Sequence, residues 1–210
     1  MDEILPGIHH WTAHHDEFGA RVSSYYVEPA GALIDPMVPD DGLDVFASLP
    51  TPQQVVLTRA RHFRHSDRFR EAFDCVVRVA APASDDLADR GARPFWFGDE
   101  VAPGVTAIEI DVIGEDETAL HIAHGPGAVA FGDALVRPVA SPIAFLADDD
   151  LGAHPVRKKK GLKDAFGGLL LRDFEALLFA HGEPLLQGGK AALRRFVEEP
   201  VEYPEYGPYA

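Results

Sequence analysis

Short β-favouring runs alternate with helical spacing of apolar residues through the first third of the chain. Two of these runs are separated by a Pro- and Gly-containing interval of hairpin length, which predicts an antiparallel pair of strands. Apolar residues recur at helical spacing over 40–49, and Ser66 precedes a second such stretch, so two helices are predicted. The strands predicted in this third lie at 22–27, 32–35, 55–58 and 76–79. This alternation is typical of a layered α/β fold.

The pattern changes in the middle third, where short strands follow one another with Gly, Pro and acidic turns between them. These strands predict a second sheet, and they lie at 94–97, 106–112, 119–122 and 128–131. Helical patterns then dominate at 162–171 and 189–198, on either side of an apolar strand-like run at 174–179. Two groups of strands with helices between and after them predict a mixed α/β (α+β) fold.

The composition is that of an ordinary globular protein, with 46% hydrophobic and 25% charged residues. At 210 residues the chain has the length of one large domain, which we place at residues 1–200. Residues 201–210 interleave Pro and Tyr without a helical period, so they predict an extended tail.

The formal net charge of −15 repels phosphate polymers, so the sequence argues against a nucleic-acid partner. No apolar run approaches the roughly 18 residues of a membrane span, and the N-terminal residues lack a basic segment followed by an apolar one. We therefore expect a cytoplasmic protein without membrane contact. Small molecules are the expected partners, and a homodimer stays open.

Three segments, in this order along the chain, resemble landmarks of the metallo-β-lactamase superfamily. Residues 33–35 (Leu-Ile-Asp) resemble the end of its opening hairpin, and residues 132–134 (Gly-Asp-Ala) resemble a strand end whose aspartate bridges two metals. Residues 181–182 (His-Gly) resemble the strand end that supplies the last metal histidine. The resemblance covers nearly the whole chain and implies a four-layer αββα sandwich, with Asp133 and His181 as candidate catalytic residues.

The signature loop of that family, Thr-His-x-His-x-Asp-His, is where this sequence departs from the pattern. Aligned on Thr58, two histidines are replaced by arginine, the aspartate by phenylalanine and the last histidine by arginine. The replacing residues are Arg59, Arg61, Phe63 and Arg64. Glu115 falls near the place of the family's middle histidine. In this register, only Asp133 and His181 of the usual ligands remain.

Two hypotheses follow for the site, and the sequence leaves both open. In the first, arginine charges replace the metal charge, because a guanidinium stays protonated and cannot ligate a cation. The residues predicted to form this anion-binding pocket are Arg59, Arg61, Arg64, Asp35 and Glu115. In the second, the loop is shifted by a few residues and completes a single-metal set. Its ligands are Asp133, His181, His62, His65 and Asp67.

The two hypotheses imply different chemistry. The leading prediction is a hydrolase-like protein with an eroded, metal-poor or metal-free site that holds a small anion and lacks conventional two-zinc hydrolysis. The alternative is a mononuclear hydrolase that uses one zinc, iron or manganese ion on a small ester, thioester or amide. Whether the protein is an enzyme therefore depends on the register of the loop from Thr58 to Asp67.

Four further histidines near the N-terminus flank Trp11, at positions 9, 10, 14 and 15. Neighbouring residues on a strand point to opposite faces of a sheet. We therefore expect one histidine of each pair to face solvent, and we do not predict a metal cluster from their proximity in sequence.

Overall fold

The computed structural model describes residues 1–201, so the predicted tail lies outside the described residues except for Val201. The described strands form two sheets. The first contains, in both chain and spatial order, β1 (Asp2–Leu5), β2 (Ile8–His15), β3 (Ala20–Val27), β4 (Ala32–Ile34), β5 (Gln54–Val56), β6 (Val76–Ala80) and β7 (Arg93–Phe95). The second contains β8 (Glu100–Ala102), β9 (Val105–Glu109), β10 (Thr118–Ile122), β11 (Ala128–Phe131) and β12 (Ala176–Phe179), in the spatial order β12-β11-β10-β9-β8.

Four α-helices lie within the described residues: α1 (Ser66–Phe73), α2 (Asp148–Leu151), α3 (Pro155–Leu169) and α4 (Gly189–Glu198). Pro155 stands in the first turn of α3, where its missing N–H leaves no helical bond unmade. Of the helices in residues 1–201, none is both long and apolar enough to cross a membrane.

Three clusters of apolar side chains fill the space between neighbouring layers of the fold. The first lies between the sheets and includes Tyr25 and Ile34 of the first sheet with Leu120 and Leu178 of the second. Residues on the outer face of the second sheet pack with α3 and α4, and those on the outer face of the first sheet pack with α1. Helix, sheet, sheet and helix form a four-layer αββα sandwich, so the predicted fold class is confirmed.

Strand direction brings several loops to one edge of the sandwich. Strands β4 and β5 are parallel neighbours in the first sheet, and β11 and β12 are parallel neighbours in the second. Strand β10 is antiparallel to β11, so the start of β10 lies at the same edge as the end of β11. The Tyr25 hydroxyl of β3 donates to the carbonyl of Phe179 in β12, which joins the two sheets near this edge.

Most predicted elements are present, with two differences. The predicted helix at 40–49 is only a single 3-10 turn, Leu43–Phe46, which Gly42 precedes in a non-helical conformation and Pro50 follows. The strand predicted at 94–97 as part of the second sheet is β7, which pairs in parallel with β6 in the first sheet. The hydrophobic pattern predicts that a strand forms but not which sheet it joins.

Candidate metal centre

Asp35 anchors the part of the site that the first sheet supplies. It follows β4 directly and is buried, and its carboxylate accepts the backbone N–H of Thr58 at 2.8 Å and the Thr58 hydroxyl at 2.5 Å. The same carboxylate lies 2.9 Å from Nδ1 of His62. Burial opposes ionisation of Asp35, but the charge and hydrogen bond of His62, the charge of Arg64 and the hydrogen bond of Thr58 together outweigh burial and lower the pKa of the carboxyl. The Nδ1 proton of His62 is therefore held towards Asp35.

His62, Asp133 and His181 come together between the two sheets. Their ligating atoms all lie within 4.8 Å of one another. Nε2 of His181 is 2.9 Å from Oδ1 of Asp133, and Nε2 of His62 is 3.3 Å from the same oxygen. Nε2 of His62 is buried and has no hydrogen-bond partner, since its approach to Asp133 is not aligned as a hydrogen bond. Nε2 faces the oxygen that His181 also contacts, and a cation bound there would displace the Nε2 proton.

Arginines hold the other oxygen of Asp133. The Arg61 guanidinium donates to Oδ2 through Nε at 2.8 Å and also through Nη2, and Nη1 of Arg59 lies 3.4 Å from Oδ2. Burial raises the pKa of Asp133, but the hydrogen bond from His181 and the charges of His62 and Arg61 outweigh burial and hold that pKa well below its usual range. Asp133 is therefore ionised and shared between the imidazoles and the arginines.

Glu117 supports Asp133 from the start of β10. It is fully buried, and its Oε1 accepts the backbone N–H groups of Asp133 and Ala134, each at 2.9 Å. Oε2 has no hydrogen-bond partner, although Nη1 of Arg59 lies 3.3 Å away. Burial and the charge of Asp133 raise the pKa of Glu117 to about 7, against the opposing charge of Arg59.

Arg59 links the loop after β5 to the start of β10. Its Nη2 lies 3.0 Å from Oδ1 of Asp116, and Oδ2 of Asp116 accepts the backbone N–H of Ala60 at 2.8 Å. Together with its contacts to Glu117 and Asp133, this gives Arg59 three carboxylate partners. Glu115, which was predicted to pair with the arginines, is exposed; Asp116 and Glu117 face them instead. Strand β10 begins at Thr118, three residues after Glu115, so the two residues between them lie next to the strand and face the arginines.

Arg64 also differs from its predicted role. Its Nη1 donates to the backbone carbonyls of Ser23 at 2.8 Å and of Asp35 at 2.6 Å, so this nitrogen stabilises the loops around the site. Its backbone has φ of +44°, which is uncommon for a long side chain. Burial lowers the pKa of the Arg64 guanidinium. The structure therefore separates it from the Arg59 and Arg61 pair at Asp133.

His65 and Asp67 lie outside the three-residue group. His65 is exposed, and its Nδ1 accepts the backbone N–H of Val38 at 3.0 Å. Asp67 lies in the first turn of α1 and pairs with Arg70 and with Arg90. Helix formation from Ser66 carries both side chains away, so the loop combines features of both registers: His62 joins the imidazole group while Arg59 and Arg61 hold Asp133.

Two glycines are required by close packing at the strand ends. A Cβ at residue 132 would lie 2.7 Å from the Thr58 hydroxyl, and a Cβ at residue 182 would lie 1.9 Å from the carbonyl oxygen of Arg137. Gly182 also has φ of +105°, which other residues rarely adopt. Gly132 leaves room for the Thr58 side chain before Asp133, and Gly182 lets the chain after His181 pass close to the Arg137 backbone.

The donor set fits one metal ion but not two. Among residues 1–201, the group of His62, Asp133 and His181 offers two imidazole nitrogens and one carboxylate oxygen, which is enough for a four-coordinate ion with one open position. A second ion would need further donors where this chain has Arg59 and Arg61, and a guanidinium has no lone pair for a cation. Sequence reasoning missed Asp116 and Glu117, since a short acidic run ahead of a strand carries no ligand motif.

Comparison with known proteins gives a clear result for structure and none for sequence. No protein-family model matches the chain, and no curated protein matches it. TTHA1623, solved in a di-iron-bound form, is 26% identical, with a TM-score of 0.59 over 81% of this chain and 92% of its own. TTHA1429, a metallo-β-lactamase family protein from Thermus thermophilus, is 16% identical with a TM-score of 0.61 over 93% and 78% of the two chains.

A metallo-β-lactamase from Hirschia baltica is 15% identical, with a TM-score of 0.62 over 93% of this chain and 94% of its own. At such identities the likeness concerns the fold. It agrees with the two-sheet sandwich described above. The chain therefore has the fold of the metallo-β-lactamase superfamily.

Proposed function

We propose that this protein is a hydrolase-like member of the fold whose centre is metal-poor: it binds a single metal ion and does not carry out conventional two-zinc hydrolysis. The observation that supports this most is the buried Nε2 of His62, which lacks a hydrogen-bond partner beside Asp133 and His181. A buried polar atom without a partner is costly unless something else satisfies it. One divalent ion satisfies it and uses all three donors.

The residues around the three donors prepare them for a cation. Asp35 lies 2.9 Å from Nδ1 of His62 and holds the proton of that nitrogen, so Nε2 is the nitrogen that binds an ion when the ion displaces its proton. Glu117 fixes the backbone at Asp133 through two N–H groups, so the carboxylate is oriented before any ligand arrives. Arg61 neutralises the other oxygen of Asp133, which leaves a single oxygen for the ion.

The substrate class proposed is a small ester, thioester or amide. A bound ion supplies Lewis-acid activation of water and of the substrate carbonyl. A cavity of about 140 Å³ opens beside Asp133 and His181, with Phe18, Arg61 and Leu146 among its walls. Phe18 is 56% exposed, so its ring offers an apolar wall to a substrate next to the charged groups.

Metal titration tests the centre directly. Chelator-treated protein is titrated with Zn²⁺, Mn²⁺ and Fe²⁺ while bound metal and melting temperature are recorded. We expect one equivalent of at least one metal and a higher melting temperature, because an ion that binds only the folded state stabilises it. His62→Gln and Asp133→Asn are expected to abolish binding, whereas the matched control His65→Gln retains it. The proposal is overturned if none of the three metals binds. It is also overturned if a second equivalent of metal ion binds tightly.

Turnover tests the chemistry. Aryl esters and aryl thioesters are incubated with the metal-loaded protein, the metal-free protein and Asp133→Ala. We expect hydrolysis that requires the metal and is lost in the variant. Equal rates in all three samples contradict an active centre, even where one metal ion binds.

A second candidate function is supported by Arg59 and Arg61, which both contact Oδ2 of Asp133. In this alternative, the arginines and a protonated His62 supply the positive charge of the centre, and the protein binds a small anionic molecule without turnover. Thermal stabilisation by small anions in metal-free protein, lost in Arg61→Ala, favours this candidate when the metal titration fails.

A further inference from the structure

The largest cavity described lies next to the candidate centre and is not used by the proposed chemistry. Its volume is about 560 Å³. Arg61 lines both this cavity and the smaller one beside Asp133 and His181, so the two are neighbours across one side chain. A molecule seated in the larger cavity therefore extends towards the candidate centre past Arg61.

The polar lining of this cavity is mostly cationic or basic. Three guanidinium groups and three imidazoles line it: Arg61, Arg64, Arg90, His14, His15 and His65. The two acidic residues in the lining, Asp16 and Glu17, are exposed on the turn between β2 and β3. Exposed carboxylates are solvated and screened by salt, so they offset the arginines only weakly. Among the lining residues, three arginines outnumber two carboxylates, on a chain of net charge −15.

Two of these side chains carry buried nitrogen atoms without a partner. Nη2 of Arg64 has no hydrogen-bond partner, although Nη1 of the same guanidinium binds two backbone carbonyls. Nδ1 of His15 is also buried and unpartnered. A buried guanidinium nitrogen that lacks an acceptor carries a free-energy cost, which an anionic oxygen removes.

Arg90 is a half-exposed cation of the set and is held in place. Its guanidinium lies 3.9 Å from the centroid of the Phe63 ring, and its Nη2 lies 3.1 Å from Oδ2 of Asp67. Its side chain is 46% exposed, so donors remain for a ligand. The apolar lining includes Met37, Phe63 and Leu87, which suits a ligand with a short apolar part behind its charged group.

We infer that this cavity binds a carboxylate or phosphate group of the substrate, so that the protein acts on small anionic molecules whose reactive bond lies beyond Arg61. The inference rests on the proposed function, because it assigns the anion to the substrate of that centre. Arginine is well suited to this role, since its planar donors match the geometry of both oxyanions.

The test measures anion binding in chelator-treated protein, without any metal. Phenyl phosphate and benzoate are titrated by calorimetry, with benzyl alcohol as the neutral analogue. We expect at least one anion to bind with a dissociation constant of about 1 mM or below, and the alcohol not to bind. Arg90→Gln is expected to weaken binding about tenfold, the cost of one charge-assisted hydrogen bond.

The matched control is Arg70→Gln. Arg70 also pairs with Asp67 and also carries one positive charge, but it does not line the cavity. Nη1 of Arg70 also donates to the backbone carbonyl of Arg90, so this variant keeps the Arg90 guanidinium while changing its surroundings, and we expect less than about a twofold change in anion binding. Arg61→Gln is a second reporter if Arg90→Gln lowers the melting temperature, and its expected loss is again about tenfold.

The outcomes separate this inference from the proposed metal centre. No anion binding, or equal weakening by Arg90→Gln and Arg70→Gln, overturns the anion site whatever the metal titration gives. Anion binding that depends on Arg90 in protein that takes up no metal overturns the metal centre and leaves the anion site standing. The choice between phosphate and carboxylate follows from which of the two titrations saturates at the lower concentration.

Discussion

His62 lies between two carboxylates, Asp35 at 2.9 Å and Asp133 at 3.3 Å. Burial lowers the pKa of His62, but the charge of Asp35 and the nearby Asp133 outweigh burial and raise it to about 9. In metal-free protein, the folded state therefore keeps a proton on His62 that the unfolded chain releases near pH 6.5.

This coupling predicts how stability depends on pH. The contribution of His62 is fully present below about pH 6.5 and is lost as pH rises through about 9, a loss of about 3 kcal/mol in the free energy of unfolding. Urea unfolding of chelator-treated protein between pH 6 and pH 9.5 measures it. In His62→Gln the fall should be mostly absent, and parallel curves for variant and wild type contradict the prediction.

Glu117 provides a second prediction at the same scale. Removing its carboxylate in Glu117→Ala leaves two buried N–H groups without an acceptor and removes a partner of Arg59, so we expect a loss of about 3 kcal/mol or more. Glu117→Gln keeps an acceptor oxygen and is expected to lose clearly less. Chemical unfolding of both variants at pH 7 checks this order, and equal losses contradict it.

Asp133 and His181 could be predicted because the Gly-Asp-Ala and His-Gly segments resemble the family's strand ends, and the structure shows that packing requires the glycine of each segment. The sequence does not contain enough information to decide the register of the loop after Thr58. That loop is a 3-10 turn, Ala60–Phe63, in which His62 turns inward while Arg61 is half exposed. Side-chain direction in such a turn follows from tertiary contacts with Asp35 and Asp133, which have no local signature.

At the scale of elements, β3 and β12 are joined by one hydroxyl. The Tyr25 hydroxyl donates to the Phe179 carbonyl at 2.9 Å and accepts the Phe179 N–H at 3.0 Å. Tyr25→Phe leaves both buried groups of Phe179 unpaired, so we expect a loss of about 2 kcal/mol. Tyr26→Phe removes a single bond to the Pro50 carbonyl and serves as the neighbouring control, with an expected loss of about 1 kcal/mol. Denaturant midpoints measure the loss of stability in both variants. An equal loss argues against a special role of the Tyr25 hydroxyl in joining β3 to β12.

The loop after β12 depends on Gly182. Gly182→Ala places a methyl group against the Arg137 carbonyl and also strains a positive φ, so we expect at least about 3 kcal/mol of destabilisation and displacement of His181. Gly188→Ala meets a positive φ of +68° with open space around it, and its expected cost is about 1 kcal/mol. Thermal unfolding of the two variants separates the steric effect from the conformational one. Similar melting temperatures would show that the close contact relaxes easily.

Secondary structure follows from the pattern where apolar periodicity and turn residues agree. Helix α4 spans the predicted residues 189–198, and the hairpin of β3 and β4 has the predicted pairing. The helix predicted at 162–171 begins earlier, at Pro155. Proline is favourable in the first turn of a helix, and the arginine and lysines that follow it are good helix formers. Assignment of β7 to the first sheet depends on long-range pairing, which local periodicity does not encode.

At the scale of the whole molecule, the three apolar clusters account for the packing of the sandwich. The buried carboxylates of the candidate centre lie at one edge of it: Asp35, Asp116, Glu117 and Asp133. The layered core could be predicted from the hydrophobic pattern and the family resemblance together. Whether the centre holds a metal ion could not be predicted, because the same αββα fold accommodates either metal ligands or arginines after the end of β5. Shared architecture fixes where chemistry can take place and leaves its kind to a few side chains.

The three carboxylate partners of Arg59 have a consequence for protein engineering. Restoring the family motif with histidines at positions 59 and 61 removes two cations that now balance Asp116, Glu117 and Asp133. The new imidazoles would then lie among three carboxylates that have lost their arginine partners, and one of these, Glu117, is completely buried. Conversion of this centre into a two-metal site therefore requires neutral replacements at the start of β10 in the same step, since grafted ligands alone would weaken the frame that has to hold them.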